Sequence, residues 1–183
     1  MRLFILVLAL LISAPTFAAE RVLQAASSRI NFSFQQMKVP MDGSFKRFSG
    51  KIDFDASKLE ASKIEILVDT ASISAYEEAD PEVVKPVWLN VAAFPQARFV
   101  SKSIKASGNG HYQASGTLSI KGVSRDITVP FDYKEHGANA DVDGQFTLKR
   151  ADYKIGEGEW SAFDIVANDV LVKFHLVVGA LQR

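Results

Sequence analysis

Between Tyr112 and Phe131 the chain alternates apolar and polar side chains on either side of a short polar break. Tyr112, Ala114, Gly116, Leu118 and Ile120 interleave with Gln113, Ser115, Thr117 and Ser119, and the same beat resumes at Ile127, Val129 and Phe131. Successive side chains of a strand point to opposite faces, so the pattern predicts a two-stranded ribbon with one greasy face and one wet face. Such a ribbon has to lay its greasy face on something, and the rest of the chain offers more of the same. Alternating runs recur at Ser28 to Phe34, Phe45 to Phe54, Ile64 to Asp69, Ala97 to Ile104, Gly144 to Leu148 and Asp169 to Val178, about eight strands in all.

Glycine and asparagine accept the backbone angles that chain reversals need, which predicts turns at Met41-Asp42-Gly43, Ser107-Gly108-Asn109-Gly110 and Gly137-Ala138-Asn139. Connections this short favour antiparallel neighbours. One stretch, Ala79 to Phe94, lacks the alternation and carries Pro81 and Pro86; it predicts a short helical crossover capped by Asp80 and starting at Pro81. Its Val83, Val84, Trp88, Leu89 and Phe94 are suited to a partial lid or to a plug. Antiparallel strands with one apolar face can stack as a sandwich or curl into a barrel, and an eight-stranded barrel is just wide enough for a slender ligand.

The N-terminus reads as a secretory leader over residues 1–18. Arg2 precedes an apolar run from Leu3 to Ile12, followed by Pro15 and by small residues with Thr16 and Ala18 at the positions a signal peptidase inspects. The run is too short to span a hydrocarbon core, which needs about 20 apolar residues. Residues 19–183 form the expected single domain, exported and without a stable membrane anchor. The chain has no cysteine, which excludes disulfides, thiol catalysis and a lipidated tether. A soluble periplasmic location follows for a Gram-negative source. Removing the leader, with Arg2 in it, from a neutral chain leaves one acidic residue in excess, and no basic stripe invites nucleic acid.

Catalytic and metal chemistry are thinly supplied. His111, His136 and His175 show no metal-ligand spacing, and no nucleophile stands beside a base. Glu77, Glu78, Asp80 and Glu82 crowd the crossover but lack the order of a calcium loop. Arg150, Asp152 and Lys154 precede Gly156 and Gly158; one of them could face a ligand head group, and a solvated ion pair is the plainer expectation.

Five stretches nevertheless resemble one family in order and spacing. They are SSRINFSFQQMKVPMDGSFKRFSGKIDF, KIEILVDTASIS, WLNVAAFPQARFVSKSI, ASGTLSIKGVSRDITVPF and KRADYKIGEGEWSAFDIVANDVLVKFHLVV. The telling pieces are Gly43-Ser44-Phe45 with Phe48-Ser49-Gly50, Phe94-Pro95 with Ala97-Arg98-Phe99, Gly116-Thr117-Leu118 through Lys121-Gly122-Val123, and Arg150 to Ile155 with Gly156. On these the chain is identified as a member of the YceI-like family of periplasmic polyisoprenoid-binding proteins. It departs from the family pattern between Tyr76 and Pro86. Gly158-Glu159-Trp160 has the form of the lipocalin Gly-x-Trp but the wrong place in the chain, so the likeness to lipocalins is one of architecture.

The resemblance implies an all-β, antiparallel, lipocalin-like eight-stranded barrel with one short helical crossover. It further implies noncatalytic binding of a long isoprenoid lipid, a polyprenyl or quinone-type tail, inside that barrel, with the protein as carrier or sink and no other cofactor. Strand parity, rather than a family motif, selects the candidate lining: Phe32, Phe34, Phe45, Phe48, Ile52, Phe54, Ile66, Phe99, Leu118, Ile120, Val129, Phe131 and Phe146. The same side chains would serve as plain core. The alternatives are a stress-related structural protein with a solid barrel, and a lipid-modifying enzyme using Arg150, Asp152 and His175. The outward faces are polar enough for either a monomer or a homodimer.

Overall fold

Alternation of this kind resolves into eleven strands in a computed structural model that describes residues 21–76 and 79–180. They are β1 (Arg21–Leu23), β2 (Arg29–Gln36), β3 (Val39–Phe45), β4 (Phe48–Asp53), β5 (Lys63–Asp69), β6 (Ile73–Ser74), β7 (Gln96–Gly108), β8 (His111–Ile120), β9 (Val123–His136), β10 (Asn139–Lys149) and β11 (Asp169–Ala180). The expected leader, residues 1–18, lies outside the described residues. All pairings are antiparallel, and β1 joins both β4 and β11, so β1-β4-β5-β7-β8-β9-β10-β11 closes into an eight-stranded barrel. Strands β2, β3 and β6 extend the wall beyond that ring, with β2 paired to β11 and β3 to β6.

The expected fold class therefore holds, with three local corrections. Met41-Asp42-Gly43 is not a turn but the middle of β3; the chain reverses at Met37 and Lys38, which take φ of 50° and 67° and let Gln36 pair with Val39. Two-residue hairpins require positive φ at their centre, a role normally signalled by glycine or asparagine. Gly43 serves space instead: a Cβ there would lie 2.3 Å from the Phe32 ring. The run from Phe45 to Phe54 is also interrupted at Lys46 and Arg47, whose amides turn away to the carbonyl and hydroxyl of Ser72. Finally, Asp80 does not cap the short helix α1 (Asp80–Val83). It is the first helical residue, and its carboxylate accepts from the Ala75 amide at 2.6 Å.

Ladder length follows pattern strength. Strands β8 and β9 pair over their full facing length through the Lys121-Gly122 turn, and β10 pairs with β11 from Asn139 to Lys149. Inward residues of these strands, including Ala114, Phe131, Ala140, Val142, Leu176 and Val178, form the main buried core with Ile30, Ile52 and Ile64. A second, smaller cluster gathers Leu89, Leu118, Ile120 and Tyr153 near the end of the barrel where the crossover lies. Among the described residues no helix is long and apolar enough to cross a membrane.

Barrel closure presses backbones together at particular points. At Gly116 a Cβ would stand 2.3 Å from the Val100 carbonyl oxygen and 2.8 Å from the Phe99 ring. Because the carbonyl belongs to the neighbouring strand and cannot move alone, Gly116→Ala is expected to cost about 2 kcal/mol by overpacking, read as a lower urea midpoint at unchanged slope.

Candidate functional site

The inward faces do not meet across the whole barrel. Two adjoining cavities, of about 340 Å³ and about 130 Å³, run along its interior. Ile30, Val68, Ala97, Leu118, Phe146 and Val172 line both and so mark the junction, or neck, where an outer chamber adjoins an inner one. The inner chamber ends against Phe131, whose ring packs with Phe54 and Tyr112 at centroid distances of 5.8 and 5.5 Å, while Phe54 in turn meets Tyr112 and Tyr133 at 4.8 and 4.3 Å. Arg21 donates to the Tyr133 hydroxyl at this end, and burial pushes that phenol up to about 12.

The outer chamber opens at the opposite end, where the wall is built from irregular chain. Val83, Trp88 and Leu89 of the crossover face Ile155, Trp160 and Val166 of the segment between β10 and β11. The two indole rings stand 5.5 Å apart. Polar side chains on this wall are already engaged. The Tyr76 hydroxyl donates to Gln36 at 2.7 Å, the Thr70 hydroxyl donates to the Phe94 carbonyl at 2.9 Å, and Glu82 pairs with Lys85.

Arg150 overturns its expected role as part of a solvated ion pair. It is 2% exposed, and its guanidinium donates to backbone carbonyls of Ile155, Gly156, Trp160, Val166 and Ala167 at 2.7 to 3.3 Å. These bonds occupy all five of its N–H groups, and Trp88 and Phe163 lie over it at 5.7 and 5.4 Å. Burial lowers its pKa below the ordinary guanidinium value. Lys121, also buried, adds a second tie by donating to the Lys154 carbonyl and, at 2.9 Å, to the Glu157 carboxylate. Each cation therefore fixes the shape of the mouth segment. The geometry leaves Arg150 no free donor for a ligand head group.

Of the parity-selected residues, Phe32, Phe34, Phe45 and Ile120 line the outer chamber, Ile52, Ile66, Phe99, Val129 and Phe131 the inner one, and Leu118 and Phe146 the neck. Phe48 packs against the main core and Phe54 belongs to the aromatic floor; neither lines a chamber. Parity missed Tyr76, Ile155, Trp160 and Val166, because none sits in an alternating run. Trp160, set aside as a chance match to Gly-x-Trp, lines the mouth. Crossover residues Val83, Trp88 and Leu89 act as cavity wall, while Phe94 packs beneath Gly122.

The enzyme candidates are not brought together. Arg150 is buried at the mouth and Asp152 is exposed. His175 bonds Asp143 at 2.7 Å, while its strand neighbours Phe174 and Leu176 face the inner chamber. Among the described residues no three histidine or acidic side chains are grouped to hold a metal. Of the acidic crossover cluster, Glu77 and Glu78 lie outside the described residues.

A tube walled by strand parity and closed by aromatic rings has relatives. The YceI-like domain matches residues 22–178 of this chain. The chain belongs to the YceI-like family. A UPF0312 protein of Shewanella denitrificans is 35% identical, covering 92% of this chain and 85% of its own length; another, from Ectopseudomonas mendocina, is 31% identical over 79% and 81%. Among solved structures, Burkholderia cenocepacia BcnA superposes with a TM-score of 0.82 at 35% identity, covering 85% of this chain and 98% of its own. A polyisoprenoid binding domain from Saccharophagus degradans shares the fold at a TM-score of 0.71 and 17% identity, over 88% of this chain and 99% of that one.

Among the described residues of this YceI-like barrel, one buried polar side-chain atom is left without a partner. The Tyr153 hydroxyl is buried beside Leu118 and Ile120 with no hydrogen bond among the described residues, and burial raises its pKa. A buried unsatisfied hydroxyl costs about 1 to 3 kcal/mol, so Tyr153→Phe is expected to unfold at an equal or higher denaturant midpoint. Arg150→Met, which strips five carbonyls of their donor, is expected to lose about 3 kcal/mol or more in the same measurement.

Proposed function

We propose that this protein binds a long isoprenoid lipid, a polyprenyl chain or the tail of a quinone, within the two chambers and without catalysing a reaction on it. The observation that carries this reading is a pair of adjoining apolar chambers that share six wall residues, with the Thr70, Tyr76 and Arg150 donors of the mouth already satisfied by protein. Such a tube rewards a slender hydrocarbon and asks for no charge from it. The family supports the same class of ligand, since the Saccharophagus degradans neighbour is described as a polyisoprenoid binding domain.

The energetics suit the task. A five-carbon unit leaving water yields about 1.5 kcal/mol at the ligand efficiency of drug-sized molecules, so about eight units approach ~12 kcal/mol, near nanomolar affinity. An acid or base has no part in that sum. The leader in residues 1–18 supports a periplasmic site of action, where an isoprenoid chain must cross water between membranes. The protein then serves as a carrier or a sink. The solid-barrel alternative asks for a filled interior, which the paired chambers do not favour.

Native mass spectrometry of protein purified without detergent is expected to show a copurifying isoprenoid mass, and a polyprenol probe to displace it. Leu118→Trp puts an indole into the neck and is expected to weaken uptake of a long polyprenol at least tenfold while the far-ultraviolet β signature stays unchanged. Recovery of empty protein that also refuses the probe would overturn the proposal.

A further inference from the structure

The large hydrophobic side chains left exposed on this molecule are not scattered. Among the described residues they are Met37, Val39, Val87, Phe163 and Ile165, with Met37 70% and Phe163 51% exposed. All five belong to the open end of the barrel, and hydrogen bonds fix them to its mouth. The Met37 amide donates to the Ile165 carbonyl at 2.7 Å, Gln36 bridges to Val166, and the Val87 carbonyl accepts from Gly156 and Glu157 at 2.8 and 2.9 Å. Phe163 lies over the Arg150 guanidinium. The tip carrying Met37 is itself costly, because Met37 and Lys38 hold positive φ where glycine or asparagine would sit without strain. Large apolar residues kept in the open on a strained turn are a poor solution for stability alone.

We propose that this rim is a docking surface for a phospholipid bilayer, through which the mouth exchanges its ligand; the inference rests on the reading of the chambers as a lipid site. Several features favour a bilayer over a second copy of the chain. Five partly exposed side chains offer on the order of a few hundred Å² of apolar surface, short of the ~800 Å² per partner of a standard protein interface. Interfacial insertion needs no more than a few aliphatic and aromatic groups reaching the headgroup boundary. Lys38 stands between Met37 and Val39, where a lysine can lay its stem on the apolar layer and keep its charge in the headgroups. The rim also carries both signs, Lys38 and Lys154 against Asp164 and Glu159, so apolar insertion rather than attraction to anionic lipid drives docking. The rim surrounds the outer chamber, so a docked molecule opens that chamber onto the hydrocarbon instead of onto water.

The test uses the full chain and a triple variant, Met37→Asn, Val39→Thr and Ile165→Ser. None of these positions lines a chamber, and asparagine tolerates the φ of Met37. In flotation with phosphatidylcholine vesicles the unmodified protein is expected to float, with at least tenfold weaker partitioning for the variant and little dependence on salt. Uptake of a polyprenol probe from cyclodextrin, followed by Trp88 and Trp160 fluorescence, is expected to be the same for both. Transfer from loaded protein to acceptor vesicles should quicken with vesicle concentration for the unmodified protein and become independent of it for the variant. Failure of the unmodified protein to float, equal flotation of the variant, or flotation only on anionic vesicles at low salt would each overturn docking by the apolar rim. Light scattering that finds a dimer which the variant splits would overturn it in favour of a self-interface. Flotation without probe uptake would uphold the docking surface and sink the isoprenoid reading of the chambers.

Discussion

A barrel of eight strands closes its own wall but not its ends, and the open end here is shaped by chain with little regular structure to hold it. Residues 150–168 between β10 and β11 fold around the Arg150 guanidinium, which supplies five N–H donors to carbonyls that would otherwise be buried without partners. A buried cation usually carries a carboxylate with it; here aligned carbonyl dipoles and two aromatic faces share the compensation. The arrangement is rigid because the guanidinium is planar and its donors point in fixed directions. Gly156 is part of the same fit, since a Cβ there would lie 2.3 Å from the Arg150 Nη1. Lysine at this position would bring three donors on a flexible stem and leave carbonyls unpaired. The width of the mouth, and hence the volume of the outer chamber, follows from this one side chain.

Much of the wall was legible in the sequence because strand parity is a strict code. Leu118, Ile120, Val129 and Phe131 face inward as their alternation requires, and their partners across the ladders keep the same face. Parity says nothing about how far an inward ring reaches. Phe54 and Phe99 have the same pattern, yet one closes the floor and the other lines a chamber, because Phe54 meets Tyr112, Phe131 and Tyr133 while Phe99 meets the gap left by Gly116. A cavity is a difference between the volume enclosed by the strands and the volume their side chains fill, and no local window of sequence contains both quantities.

The misread segments share one cause. Met37-Lys38 carries no turn signal because its reversal is imposed by pairing on both sides and by the bond to Ile165, far away in the chain. Gly43 looked like a turn residue and is a hollow for the Phe32 ring. Arg150 looked like a surface charge beside Asp152, yet its partners are carbonyls, which every residue possesses and which therefore leave no mark in the sequence. In each case the decisive contact is one that a local pattern of side-chain types does not record: a carbonyl across the mouth, a ring on the neighbouring strand, or the backbone of the segment itself. Only the resemblance of Arg150 to Ile155 with Gly156 to a family motif hinted that the region was constrained.

The two ends of the tube are built on opposite physical terms, and that polarity gives the lumen a direction. At the floor, Phe54, Tyr112, Phe131 and Tyr133 interlock, and the Tyr133 hydroxyl is held by Arg21 and Glu135. Opening it would separate several packed rings at once. At the mouth, satisfied polar groups and exposed apolar side chains alternate around the opening, so a hydrocarbon passes a rim that neither repels it nor binds its end. For the proposed lipid, tail-first entry sets apolar wall against the chain from the mouth past Leu118 and Phe146 to Phe131, where the rings close the floor. In that reading its polar end stays at the level of Trp88 and Trp160, beside the exposed apolar rim. In the same reading, selectivity for length and slenderness falls to the neck and the floor rather than to a head-group contact.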